Sequence, residues 1–131
     1  MTPAGRRKPR IAIVDDEPDY RAILARWLRP LYETVGYDSA EDLLDSGGKD
    51  DAADLIISDV RMPGLDGFGL CELLREHPRY ARVPVLFLTG VSSEEGLFPS
   101  QDAGASAYLT KPVERARLLE QIEKLLDAQA F

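Results

Sequence analysis

Asp59 closes an apolar run, Leu55-Ile56-Ile57-Ser58, and a turn-rich segment follows at once, Val60-Arg61-Met62-Pro63-Gly64-Leu65-Asp66-Gly67. Asp15 and Asp16 close the first apolar run in the same way. A carboxylate at the carboxyl end of a strand is placed for chemistry rather than packing. Three such groups converging from two strand ends repel one another. At about 4 Å and an intermediate dielectric, each like pair costs roughly 4 kcal/mol. A fold keeps such a cluster only with an offsetting charge, and a divalent cation is the usual one. Two later strand ends add Thr89-Gly90 and Lys111-Pro112. Asp15, Asp16 and Asp59 could then supply hard oxygen ligands to an octahedral Mg²⁺ that keeps some waters and leaves room for phosphate. Asp59 could act as a nucleophile and form an aspartyl phosphate. Mg²⁺ and Lys111 would stabilise phosphoryl charge in the transition state, and Thr89 would hydrogen-bond a phosphoryl oxygen.

The elements that must position these groups alternate along the chain. Strands are expected at Arg10–Val14, Glu33–Tyr37, Leu55–Ser58, Val83–Leu88 and Ala107–Leu109. The first helix begins at Pro18 and carries Tyr20, Ile23, Leu24, Trp27, Leu28 and Leu31 at helical spacing, with Pro30 stopping it. Ser39 caps a short helix with Leu43 and Leu44, ended by Gly47-Gly48. Asp66 caps a third with Leu70, Leu73 and Leu74 on one face. Ser92 or Ser93 caps the next segment, and the last helix, Val113–Leu126, turns Leu118, Leu119, Ile122, Leu125 and Leu126 inward. Strands apolar on both faces belong in a parallel sheet covered on each side. The expected fold is therefore α/β, a three-layer sandwich with a central five-stranded parallel sheet and right-handed crossovers.

The chain has 131 residues and a net charge of −7. Its first ten residues hold four of the 16 basic residues and no acid, which leaves 12 basic against 23 acidic residues, a net of −11, for the remainder. An acidic body is a poor nucleic-acid binder, so no direct nucleic-acid contact is expected. Residues 1–9 read as a flexible basic leader, 10–127 as one domain and 128–131 as a tail. Cys71 is the single cysteine and falls inside a helix, where it reads as a packing residue. That usage suits a reducing cytoplasm. No apolar run is long enough to cross a membrane, and no secretory signal is present. His77, the lone histidine, sits at a helix end before Pro78 and reads as solvated.

Four segments in order carry a family resemblance: Val14-Asp15-Asp16-Glu17-Pro18, Asp59 to Gly67, Leu88-Thr89-Gly90, and Ala107-Tyr108-Leu109-Thr110-Lys111-Pro112. Together they resemble the response-regulator receiver domain of two-component signalling, of the chemotaxis single-domain type, from about Arg10 to Asp127. The resemblance implies a flavodoxin-like (βα)5 fold. It implies that Asp59 is the phosphoacceptor, and that Asp15 or Asp16, with Asp59 and the Arg61 backbone carbonyl, holds Mg²⁺. Thr89 and Tyr108 would form the switch pair, Lys111 would bind the phosphoryl group, and Lys111-Pro112 would be cis. A histidine kinase or histidine phosphotransfer protein would donate the phosphoryl group. A downstream effector, or a phosphorylation-dependent homodimer, would read it. Such a domain assists its own phosphorylation and dephosphorylation but is not an enzyme with an external product.

One segment departs from the family pattern. Gly96 and Pro99 fall where the helix after Thr89 should run, at a cost of about 1 and 3 kcal/mol in a helix interior. That helix is expected to be short, kinked or displaced, with Leu97 and Phe98 beside the break. Other readings fare worse. A docking-only module has no need of Asp15, Asp16, Asp59, Thr89 and Lys111 together. A phosphatase with an aspartyl nucleophile wants a second acid two residues on, where Arg61 stands. A flavin site wants a phosphate-binding loop where Asp15-Asp16-Glu17 would repel phosphate.

Overall fold

The computed structural model describes residues 8–46, 53–78, 80–90 and 106–129. Their order is β1 (Arg10–Val14), α1 (Pro18–Leu28), β2 (Glu33–Tyr37), α2 (Ala40–Ser46), β3 (Leu55–Ser58), α3 (Gly67–Glu76), β4 (Val85–Thr89), β5 (Ala107–Thr110) and α4 (Arg115–Gln129). The five strands form one parallel sheet in the order β2-β1-β3-β4-β5. The chain steps outward from β1 to β2, then crosses back over β1 to β3. The carboxyl ends of β1 and β3 therefore flank the point where the winding reverses, which is where open α/β sheets place their ligands.

Alternation along the strands divides the core between two faces. Ala12, Val14, Ile56, Val85 and Phe87 pack with Leu43 of α2 and Leu70, Cys71 and Leu74 of α3. Ile11, Ile13, Leu55, Ile57, Leu86 and Leu88 pack with Leu24 and Leu28 of α1 and Leu118 and Ile122 of α4. Each fully buried aliphatic side chain stabilises by roughly 1.5–3 kcal/mol. The many such residues offset a costly charged edge. Cys71 is buried, and burial pushes its thiol pKa up despite Arg75 nearby, as befits a packing residue.

Several boundaries differ from expectation for local reasons. β4 starts at Val85 rather than Val83, because the Val83 N–H donates to the Tyr80 carbonyl and Pro84 has no N–H to give a ladder. α4 starts at Arg115, its first turn closed by the Leu118 N–H to the Glu114 carbonyl. In α1 the apolar stripe is only half used: Leu24 and Leu28 are buried, Trp27 is half-buried and Ile23 is exposed, while Leu31 falls in the turn after the helix ends at Leu28 and is exposed. Leu73 of α3 is likewise exposed. The Ser39 hydroxyl caps α2 by accepting from the Asp42 N–H at 3.1 Å. Gly47-Gly48 and the segment from Ser92 through Gly96, Leu97, Phe98 and Pro99 lie outside the described residues. No helix among the described residues is long and apolar enough to cross a membrane.

Candidate functional site

Hydrogen bonds between neighbouring strands bring the two acidic ends together. The Asp59 N–H donates to the Val14 carbonyl at 3.0 Å, so β3 delivers its terminal carboxylate beside the end of β1. Asp15 is tied on its other side by its own N–H to the Tyr37 carbonyl at 3.1 Å. Its carbonyl accepts from Arg21 Nη1 at 2.6 Å. The two carboxylates are then held alike. Asp15 Oδ1 accepts from the Glu17 N–H at 2.9 Å, and Asp59 Oδ1 accepts from the Arg61 N–H at 3.3 Å. The Oδ2 atom of each accepts from Lys111 Nζ at 2.9 Å. Lys111 also reaches Glu17 Oε1 at 3.3 Å.

Burial makes this a high-stakes group. The Asp15, Asp59 and Lys111 side chains are only 4%, 11% and 15% exposed, whereas Glu17 is 66% exposed. Charges held this way interact far more strongly than in water, and losing one strands the others. Burial alone would lower the Lys111 ammonium pKa. Hydrogen bonds to Asp15 and Asp59 more than reverse that, and the group is held above the ordinary lysine value. Burial likewise pushes the Asp15 carboxyl up, although Lys111 and the Glu17 N–H pull the other way. The Lys111 ammonium also lies 4.3 Å from the centroid of the Tyr20 ring. Lys111 precedes Pro112 through a cis peptide bond.

The loop after Asp59 is braced on three sides. Gly64 has φ of 77°, a left-handed conformation that suits glycine. The Leu65 N–H next to it donates to Glu41 Oε2 at 3.0 Å, joining the loop to α2. Asp66 caps α3 by accepting from the Gly69 N–H at 2.8 Å. The Gly67 N–H returns to the Val60 carbonyl at 2.8 Å, and any Cβ there would collide with the Asp59 carbonyl oxygen. A cavity of about 440 Å³ lies against Arg61, Met62, Pro63, Gly64 and Asp66, but none of the three acids lines it.

The structure therefore brings Asp15, Asp59 and Lys111 together and leaves Asp16 exposed at the rim. Carboxylate oxygens of Asp15, Glu17 and Asp59 lie within 4.8 Å of one another. Glu17 was not among the expected site residues. It stands in extended conformation, φ −96° and ψ 106°. Residues two apart in an extended segment share a side, so Asp15 and Glu17 face Lys111 while Asp16 faces out. Pro18 was the available signal, since a residue before proline is pushed toward extended backbone. Of Arg61, the group that meets Asp59 is the backbone N–H. Thr89 ends β4 in register with Thr110, and its side chain lies outside the described residues. Tyr108 is half-buried, its ring 5.3 Å from that of Phe87. Phe87 in turn meets Phe68 of α3 edge-on at 5.2 Å.

Residues 11–123 match the family model of the response regulator receiver domain. The chain belongs to that family. This receiver is 35% identical over 122 residues to the DNA-binding dual master transcriptional regulator RpaA of Synechocystis, covering 90% of this chain and 49% of RpaA. It spans about half or less of the length of curated relatives such as RpaA, the gliding motility regulatory protein of Myxococcus xanthus and the response regulator PleD of Caulobacter vibrioides. The chemotaxis protein CheY4 of Vibrio cholerae superposes with a TM-score of 0.83 at 28% identity, covering 91% of this chain and 99% of that one. The receiver domain of the sensor histidine kinase PA1611 of Pseudomonas aeruginosa superposes with a TM-score of 0.82 at 26% identity, covering 92% and 99%, and holds a magnesium ion in its active-site cleft. The five-stranded parallel sheet is thus the flavodoxin-like sheet of a signalling receiver of two-component systems. Its three clustered acids offer the hard oxygen donors that suit Mg²⁺.

Proposed function

We propose that this receiver is a phosphorylation-controlled switch in which Asp59 is the phosphoacceptor and a cytoplasmic histidine kinase or histidine phosphotransfer protein is the donor. The observation that carries the reading is the Lys111 ammonium, 2.9 Å from Asp59 Oδ2 at a nearly dry sheet edge. An Asp59 oxygen attacks the phosphorus of the donor's phosphohistidine. The new O–P bond forms as the N–P bond breaks, and the electron pair of that bond leaves with the imidazole. Asp15, Asp59 and Glu17 or Asp16, with the Arg61 carbonyl, would hold Mg²⁺, which when bound would neutralise carboxylate and phosphoryl charge. Lys111 leaves the Asp59 oxygen for a phosphoryl oxygen, where its charge is worth most as negative charge develops. The Arg61 N–H keeps the Asp59 carboxylate aimed while this happens.

The modification then biases a two-state equilibrium. The Thr89 hydroxyl turns to a phosphoryl oxygen and Tyr108 rotates inward. Tyr108 begins half-buried against Phe87, so the motion needs little new space. The altered face is read by an effector or by a second copy of the receiver. Intact mass after incubation with acetyl phosphate and Mg²⁺ tests the reading. A phosphoryl-sized increase that requires Mg²⁺ and is missing in Asp59→Asn supports it. A folded protein that takes up nothing from any donor would instead be a docking module.

A further inference from the structure

Lys111 has three N–H donors and three carboxylate oxygens within reach, from Asp15, Asp59 and Glu17. A further side of the ammonium is covered by Tyr20, delivered from the first turn of α1 directly after the Glu17-Pro18 bend. The ring is half-buried, with its body packed against the α1 and α4 side of the core. It therefore presents a face to the ammonium rather than an edge to solvent. We propose that Tyr20 is a positioning residue for phosphoryl transfer, its ring face holding the Lys111 ammonium in place and keeping water off it as the ammonium changes partners. This inference rests on the reading of Asp59 as phosphoacceptor.

The physical point is directional tolerance. When Asp59 accepts a phosphoryl group, the charge that Lys111 must meet moves outward and its hydrogen bond to Asp59 Oδ2 has to break. A carboxylate bond is lost when the ammonium turns. Attraction to a ring quadrupole survives that rotation, because it depends on the cation lying over the face and not on the aim of one N–H. Tyr20 is then the partner Lys111 keeps in both states. It also excludes water, so the ammonium acts on phosphoryl charge in a lower dielectric.

The test uses the whole chain as wild type, Tyr20→Phe, Tyr20→Leu and Tyr20→Met. Phe keeps the ring, while Leu and Met keep bulk without a π face, and either serves if the other misfolds. Three readouts are taken: the first-order rate of phosphoryl uptake from saturating acetyl phosphate, Mg²⁺ affinity without donor, and the NMR shift of the Lys111 ε-methylene protons. Uptake in Tyr20→Phe should stay within about twofold of wild type, and uptake in the aliphatic variants should slow about 2- to 30-fold. Mg²⁺ affinity should hold in all four, since the Tyr20 hydroxyl makes no hydrogen bond to the acids, whereas a merely structural role would move it too. The ε-protons should be ring-shifted upfield in wild type and Tyr20→Phe and return to ordinary values in the others. Aliphatic variants as fast as wild type, or Tyr20→Phe as slow as they are, overturn the role of Tyr20 alone. A wild type that takes up no phosphoryl group overturns the Asp59 reading, and the proton shifts still judge the ring placement.

Discussion

Among the described residues two acidic groups stand out, and they are held in opposite ways. Asp38, Glu41, Asp42 and Asp45 lie just before and along α2, all exposed. Asp15, Glu17 and Asp59 gather at the ends of β1 and β3, two of them buried. In each group one carboxyl pKa is raised, but by different physics. Asp42 is raised first by a hydrogen bond shared with Asp38 and then by its repulsion, with no burial. Asp15 is raised chiefly by burial. The α2 acids are screened by water, and Glu41 and Asp42 in the first turn suit the positive end of a helix dipole, so the fold tolerates them without a cation. Asp15 and Asp59 at the strand ends are buried and poorly screened, and Lys111 arrives from far along the chain to hold them. Acid density is therefore not the signal of a site; burial with a distant cation is.

The comparison breaks most sharply at Asp59. Asp59→Asn should abolish phosphoryl uptake measured by intact mass, because the nucleophilic oxygen is gone while the fold keeps an isosteric group. Lys111→Met comes next. It should slow uptake by about a hundredfold or more, the scale of losing one preorganised charge donor. It should also cost about 2 kcal/mol in denaturant unfolding, below the 3–5 typical of breaking a fully buried pair, because Asp15 can take up a proton instead. The pH dependence sharpens this. Lys111 has a folded pKa above its ordinary 10.5. Its contribution is therefore complete below that value and is lost as pH rises through the folded one. The stability gap between wild type and Lys111→Met should be full at neutral pH and narrow above about pH 11.

Gly67→Ala tests the scaffold instead of the charge. A Cβ there meets the Asp59 carbonyl oxygen, the Val60 Cα and the Phe87 ring, and two of the three are backbone or wall that cannot swing away. The expected cost is about 1–3 kcal/mol, the usual range for forced overpacking, read from denaturant midpoints. Uptake should slow as well, since the displaced carbonyl belongs to Asp59, the proposed phosphoacceptor.

Much of this arrangement is legible from residue order. The strands β1 and β3 fall where apolar patterning puts them, because both faces of the sheet are covered and continuous apolar runs have no other home. Asp15, Asp59 and Lys111 are legible because each ends such a run. What pattern does not show is direction. Which of three consecutive acids turns inward depends on one extended residue before Pro18. Which apolar residues of α1 reach the core depends on how α1 lies on the sheet, so Ile23 stays outside. The place of Tyr20 over Lys111 is hidden for the same reason: helical spacing marks it as apolar packing, and only the sheet-end geometry sets a cation beneath its ring.

The smallest expected effect lies in the group without a cation. Asp42→Asn removes one member of the Asp38 and Asp42 pair. The folded pKa of Asp42 lies above its ordinary 3.8, so the folded state binds that proton more readily than the unfolded chain does. Its charge therefore works against folding at neutral pH, and the penalty fades as pH falls through the folded value. Asp42→Asn should raise the Tm slightly at neutral pH and not at all in strong acid, with the gain shrinking as salt is added because the pair is fully exposed. Phosphoryl uptake should not change. A large stability gain that resists salt would mean the α2 acids are coupled to the fold as tightly as those at the strand ends, and burial would then not be what separates the two groups.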